Sequence, residues 1–348
     1  MKQVPPARAM DIDIIKAIAI LGVLVIHTTS AGYRFPVLSF DWISSVFWGS
    51  VSRAAVPLFF MCSGALLLRP EKPLTLKKLY GWNMLRVLVV LLVWGMAYKI
   101  WSLAVSEGLS PAALLHAFKE VLLFKHVFHF YYLHITLLVY ALLPITRLLV
   151  ANASNRDWHY MLGAWFALGI AYPTLRHFWP VSLLTGFPLQ WMLNMTYAAA
   201  GYGLLGYRLR QRPLSAKLGI GLAVVGFFVV MGGTTMLSAR DNKLNEFFFE
   251  GMSIGVALLA AGIFSLVTST TKHGVHRFEW WAPRLSQASF CIYLVHVFFI
   301  YLFEKFGLTV HLLPCILSIP LIALINLMLS YGVSLLLKRI PLVNRWLV

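Results

Sequence analysis

Long apolar runs separated by short polar breaks repeat along the whole chain. A helix rising 1.5 Å per residue crosses a hydrocarbon layer of about 30 Å with about 20 residues. The runs therefore predict membrane spans over 13–32, 43–68, 80–104, 130–150, 158–176, 189–207, 216–237, 247–270, 285–303 and 312–337. Strict apolar–polar alternation, which a membrane barrel requires, is absent over such lengths. The expected fold is all-α, a polytopic membrane helix bundle of about ten transmembrane helices forming one integral-membrane domain over 1–348. The first run, Ile14 to Ile26 followed by Thr28-Thr29-Ser30-Ala31-Gly32, imitates a secretory signal. It is read as a retained helix, because cleavage would discard Asp13, Lys16 and His27.

Composition agrees with this pattern. Of 348 residues, 60% are hydrophobic and 12% charged, with a mean hydropathy of +0.78; a soluble domain carries about 25% charge. A soluble enzyme is excluded. The net charge of +17, from 29 Lys and Arg against 12 Asp and Glu, would suggest nucleic acid in a soluble chain. Its placement removes that reading. With the N-terminus inside, 18 basic residues fall in inner segments, among them Lys2, Arg8, Lys77, Lys78, Arg147, Arg208, Lys272, Arg277 and Lys338. Only 7 fall outside: Arg34, Lys119, Lys125, Arg176, Arg240, Lys243 and Lys305. The positive-inside rule then places both termini in the cytoplasm, with membrane lipids and not nucleic acid as surroundings. Cys62, Cys291 and Cys315 lie in apolar runs without metal-ligand spacing and read as core residues, so no metal is expected.

Ionisable groups inside spans cost about 2.5–3.5 kcal/mol each on insertion scales, so each is a candidate for function. Lys16 and His27 are 11 residues apart, about 20° from three full turns and about 16.5 Å along the axis. They share one face, Lys16 near the inner surface and His27 in the outer half. Arg53 falls near the middle of the second span, four residues before Pro57, which removes a helical donor and predicts a kink there. Arg86 lies at a depth like that of Lys16, and Lys77 and Lys78 add charge before it. On the outer side, His129 and His134 open the fourth span and Glu250 lies about one turn into the eighth. His296 sits mid-span in the ninth, either structural or facing substrate. Gly64 and Ser63 read as packing residues.

Several of these residues fall into motifs that resemble the membrane-bound acyltransferase 3 family. Asp13-x2-Lys16-Ala-Ile-Ala with His27 is similar to its first-helix signature, with Lys16 where the family has arginine. Ser52-Arg53-x3-Pro57-Leu-Phe-Phe-Met-x-Ser63-Gly64 resembles the second-helix signature. His129-Phe-Tyr-Tyr-Leu with Pro144 and Arg147, and Ser286-x2-Ser289-x3-Tyr293-x2-His296, resemble the fourth and a late helix. Asn83-x2-Arg86 keeps only the second arginine of a paired basic motif. The resemblance implies transfer of an acyl group, usually acetyl from cytoplasmic acetyl-CoA, to a hydroxyl of a surface or lipid-linked polysaccharide at a bacterial inner membrane. Under that expectation Lys16, Arg86 and Lys78 hold the donor's phosphates. His27 acts as general base or acyl carrier, Arg53 stabilises an oxyanion or binds acceptor, and Glu250 orients His27. His129, His134 and His296 then meet the acceptor. A saccharide exporter and a structural subunit of a glycan-assembly complex are the alternative readings.

Overall fold

The computed structural model describes residues 9–106, 108–271 and 280–348, and every regular element among them is helical. Lys2, Arg8, Lys272 and Arg277 lie outside the described residues. The first span forms α1, Met10–Gly32, with Asp11 and Asp13 in its first turn, where the helix dipole favours acidic groups. The second span is two helices, α2 (Phe40–Ser52) and α3 (Ala55–Leu67). The ring of Pro57 crowds the carbonyl four residues earlier and offers it no N–H, and that carbonyl is Arg53. The kink expected at the proline is thus a full break one turn upstream, at Arg53-Ala54.

The third span is α4, Leu85–Ser106, entered through a π-helical turn at Leu79–Met84. A helix absent from the span pattern follows, α5 (Pro111–Leu122), started by a Ser110 cap and a proline in its first turn. It docks on α4 through Lys99 Nζ, 2.7 Å from Glu120 Oε2. Next come α6 (Tyr131–Asn152) and α7 (Asn155–Phe166), the latter opened by a Ser154–Asp157 capping box. A π turn at Ala167–Ala171 carries α7 on to a helical turn at Tyr172–Leu175. The remainder comprises α8 (Met195–Gln211), α9 (Ala216–Asp241), α10 (Ile254–Thr271), α11 (Ala282–Lys305), α12 (Cys315–Leu337) and the short α13 (Pro341–Trp346).

Among the described residues, eight helical stretches are long and apolar enough to cross a membrane. The predicted fifth and sixth spans are not among them. At one end Asn155 accepts from Arg208 and Arg210 pairs with Asp11; at the other, the Thr174 hydroxyl accepts from the amide of Ile254 and Tyr202 donates to Gly251. The start of α1 packs beside Trp281 and Leu285, and Lys338 bonds the carbonyl of Gln287, so both described ends of the chain lie at the same end of the bundle.

At the centre, α1 packs against α2, α3, α11 and α12. Close backbone approach sets the packing elsewhere, as small residues allow where lipid supplies no hydrophobic drive. A Cβ on Gly64 would strike the backbone of Gly203, and one on Gly206 that of Met61, so α3 and α8 meet main chain to main chain. Gly64 is a packing residue, as its sequence context suggests. Arg147 donates to the carbonyls of Leu67 and Lys72, satisfying the open end of α3.

Gly206→Val should therefore destabilise the protein by about 1–3 kcal/mol through overpacking, whereas Gly221→Ala, in open space, should change stability by less than about 1 kcal/mol; thermal unfolding in detergent measures both. The Glu120 carboxyl is held below its ordinary range, chiefly by the hydrogen bond from Lys99. A depressed folded value means stability present above the unfolded pKa and lost as pH falls through the folded one. Glu120→Gln should thus be less stable than wild type at pH 7, and the gap should close on acidification below the normal glutamate range.

Candidate functional site

Three imidazoles from three separate elements meet inside the bundle. His27 comes from α1, five residues before its end; His296 comes from the buried face of α11; His129 comes from a 3-10 turn, Phe128–Phe130, that enters α6. Ring centroids are 5.1 Å apart for His27 and His296, 5.3 Å for His129 and His296, and 6.3 Å for His27 and His129. His129 and His296 are fully buried, while His27 is partly open.

The surrounding bonds fix these rings. His296 Nδ1 lies 2.7 Å from the carbonyl of Tyr293, which has no proton to give, so Nδ1 carries the hydrogen and the neutral ring's lone pair sits on Nε2. That Nε2 is buried without a protein partner, as are both ring nitrogens of His129. Asn326 Nδ2 donates to the carbonyl of His296 at 3.0 Å and accepts from Ser330 through its own Oδ1 at 2.9 Å. Tyr293 Oη donates to the carbonyl of His129 at 2.5 Å, tying the 3-10 turn to α11. Buried polar nitrogens left open in this way are rare and mark places where a ligand's polar atoms belong.

The break between α2 and α3 delivers Arg53 to the same place. Its guanidinium lies 3.9 Å from the centroid of Phe249, and its Nη2 lies 4.0 Å from Glu246 Oε1. Glu246 is 62% exposed, so this pair is weak and Arg53 keeps its charge available. Arg53 Nε is buried and unbonded. A hollow of about 70 Å³ is walled by His27, Arg53, His129, Tyr132, Phe249 and Tyr293 among others. A second hollow of about 30 Å³ on the other side of His27 reaches Glu304 and Thr309. A fixed cation beside buried imidazoles suits a reaction in which one oxygen gains negative charge while another gives up a proton.

Other expected residues are placed differently. Glu250 precedes α10 in an exposed turn, not within a helix. His134 turns away from the hollow: its Nε2 is 3.1 Å from Nδ1 of His126, whose pKa burial pushes down to about 4. Lys16 is half-buried, makes no salt bridge among the described residues and lies where its charge reaches Cys62 of α3. Arg86 donates from Nη2 to a main-chain carboxylate oxygen of Val348 at 2.5 Å and lies 5.7 Å from the ring of Phe290, with Nε buried and unbonded. Lys78 is exposed in a single helical turn, Leu76–Lys78. No bond or ring contact links these three cations.

Tyr131 and Tyr132, whose composition reads as an aromatic belt, line the hollow, and so does Phe249. Glu246 and Asn326 carry no signal that sequence periodicity exposes. Tyr293 does, standing three residues before His296 and hence on its face. A fourth cation inside the spans, Lys99, was open to the same charge mapping that found Lys16, Arg53 and Arg86. Among the described residues no group of three or more His, Cys, Asp or Glu is arranged to hold a metal ion, and the three cysteines are free and buried.

The chain is thus a polytopic helix bundle of the membrane-protein class, with histidines and an arginine gathered inside it. The acyltransferase 3 family, described as an acyltransferase domain, matches residues 11–339, and the chain belongs to it. No curated protein and no solved structure gives a significant match. Tyr293→Phe should leave the buried carbonyl of His129 without its donor, costing about 1–3 kcal/mol; equilibrium unfolding that matches wild type would show that the turn is held by other means.

Proposed function

We propose that this chain is an O-acetyltransferase that moves an acetyl group from cytoplasmic acetyl-CoA to a hydroxyl of a surface or lipid-linked polysaccharide across a bacterial inner membrane. The observation that carries the reading is the convergence of His27, His129 and the Arg53 guanidinium around one hollow inside the bundle, with the ring of His296 packed 5.1 Å from that of His27. Family membership supports acyl transfer as the reaction class. The basic excess on inner loops supports cytoplasmic termini.

Donor and acceptor need separate approaches. Lys16 precedes His27 by about 16.5 Å of helix rise, and Arg86 lies at the opposite end of α4 from Ser106. A half-buried lysine without an ion pair and a guanidinium with an unbonded buried Nε fit the phosphates of a nucleotide thioester. Lys78 would add attraction from solvent. The acceptor oxygen attacks the acyl carbon, the carbon–sulfur bond breaks, and the proton that left the hydroxyl ends on the departing sulfur. His27 takes that proton, or first accepts the acyl group itself, while Arg53 opposes the oxyanion's charge. His296, with its lone pair on Nε2, and His129 stand close enough to relay the proton or bind the hydroxyl. In size and second-helix motif the chain resembles the O-acetyltransferase of enterobacterial common antigen, which makes that polysaccharide the first acceptor to try.

Radiolabelled acetyl-CoA and purified protein with a membrane glycan extract test the reading. Wild type should label the glycan, and His27→Ala should lower the rate by about 10²–10⁴-fold; a folded His27→Ala protein with full activity overturns the mechanism. Label that stays on acid-quenched protein without acceptor identifies an acyl-enzyme. Glycan movement without labelling identifies an exporter. Lys16→Arg should preserve donor affinity better than Lys16→Ala, and equal affinities would remove Lys16 from the donor site.

A further inference from the structure

The hollow at the histidines, about 70 Å³, is far below the roughly 300–1,000 Å³ of typical small-molecule pockets, so it admits a reacting hydroxyl but not a saccharide. The bulk of an acceptor must lie elsewhere. A cavity of about 350 Å³ opens at the Ser106 end of α4. Tyr98, which lines it, also stands 5.3 Å from the ring of His129, so one aromatic side chain separates the cavity from the histidine cluster.

The chemistry of its walls is mixed in a particular way. Trp101 and Tyr301 offer aromatic rings, and Lys99, Ser102 and Ser106 offer polar side chains among them, with the His126 ring in the wall. Lys99 is held by Glu120 of α5 at 2.7 Å, and His126 is held by His134 at 3.1 Å, with its Nε2 buried and unbonded. A lipid tail needs none of these groups. A pyranose ring needs both kinds, apolar C–H faces against aromatic rings and hydroxyls against fixed donors and acceptors. Resting on the acyl-transfer reading, we propose that this cavity is the saccharide-binding subsite of the acceptor, with Trp101 as stacking platform and the Lys99–Glu120 pair as hydroxyl partner. It gives roles to Lys99, the fourth cation inside the spans, and to His134, which acts by holding His126. Its position at the Ser106 end of α4 lets acceptor and donor enter from opposite ends of the bundle.

The test uses full-length protein in its native membranes, which contain the cell's own glycans. Ser102→Cys is labelled with a benzophenone maleimide, the native cysteines being buried, and Met328→Cys on the exposed apolar face of α12 serves as control. After irradiation, periodate oxidation and hydrazide staining should reveal glycan on protein labelled at 102 and none on protein labelled at 328. A lipid adduct alone at 102, or no adduct, overturns the subsite. In the transfer assay Trp101→Ala should raise the acceptor KM about tenfold while the donor KM stays within about twofold; an unchanged acceptor KM also overturns it. Glycan captured at 102 by a protein that never acetylates would defeat the transferase reading and leave the subsite standing, whereas acetylation with no capture would do the reverse.

Discussion

The structure depends on one constraint: inside a bilayer a polar group finds no water, so each must be met by another part of the chain. Most are met. Arg147 closes the end of α3, Tyr98 reaches the carbonyl of Leu294, and Asn326 holds the carbonyl of His296 while accepting from Ser330. Exceptions are scattered among the described residues, Arg86 Nε and His126 Nε2 among them, but four such atoms meet in one place, both ring nitrogens of His129, Nε2 of His296 and Nε of Arg53. Leaving such groups open costs free energy, of order 1–3 kcal/mol each. The surrounding packing has to supply it, and the main-chain contacts of α3 with α8 and the glycine-lined seam of α9 with α10 are where the helices come closest.

Backbone irregularity follows from the same constraint. The break at Arg53-Ala54 releases groups that a straight helix would have consumed, and this is tolerable only where the chain lines a cavity. The 3-10 turn at Phe128–Phe130 does the same for His129. Both interruptions border the same hollow, and both are pinned by residues of other helices: Phe249 lies against Arg53, and Tyr293 holds the carbonyl of His129.

Much of this was legible in the sequence, for reasons specific to membranes. Apolar runs of fixed length give the helices, and a charge in such a run is conspicuous, which is how His27, Arg53 and His296 stand out before any fold is known. What stayed hidden depends on three-dimensional proximity. Nothing local says that His129 joins His27 while His134, five residues later, turns the other way to pair with His126. Glu250 reads as helical because the apolar run begins at 247, yet the chain makes a 3-10 turn at Phe247–Phe249 and starts α10 only at Ile254. The helix α5 escapes a search for spans because it is too short and too amphipathic to cross. The tyrosines at 131 and 132 escape because a residue type common at membrane interfaces carries little information there.

The origins of the three histidines also bear on biosynthesis. His27 belongs to α1 and His296 to α11, made much later, and the ring of one is positioned against the ring of the other. A chain interrupted anywhere before α11 has inserted therefore contains an unfinished histidine cluster, however well its earlier helices pack. The three rings come together only once α11 has joined the earlier helices, so a partly synthesised chain holds His27 and His129 without the third imidazole.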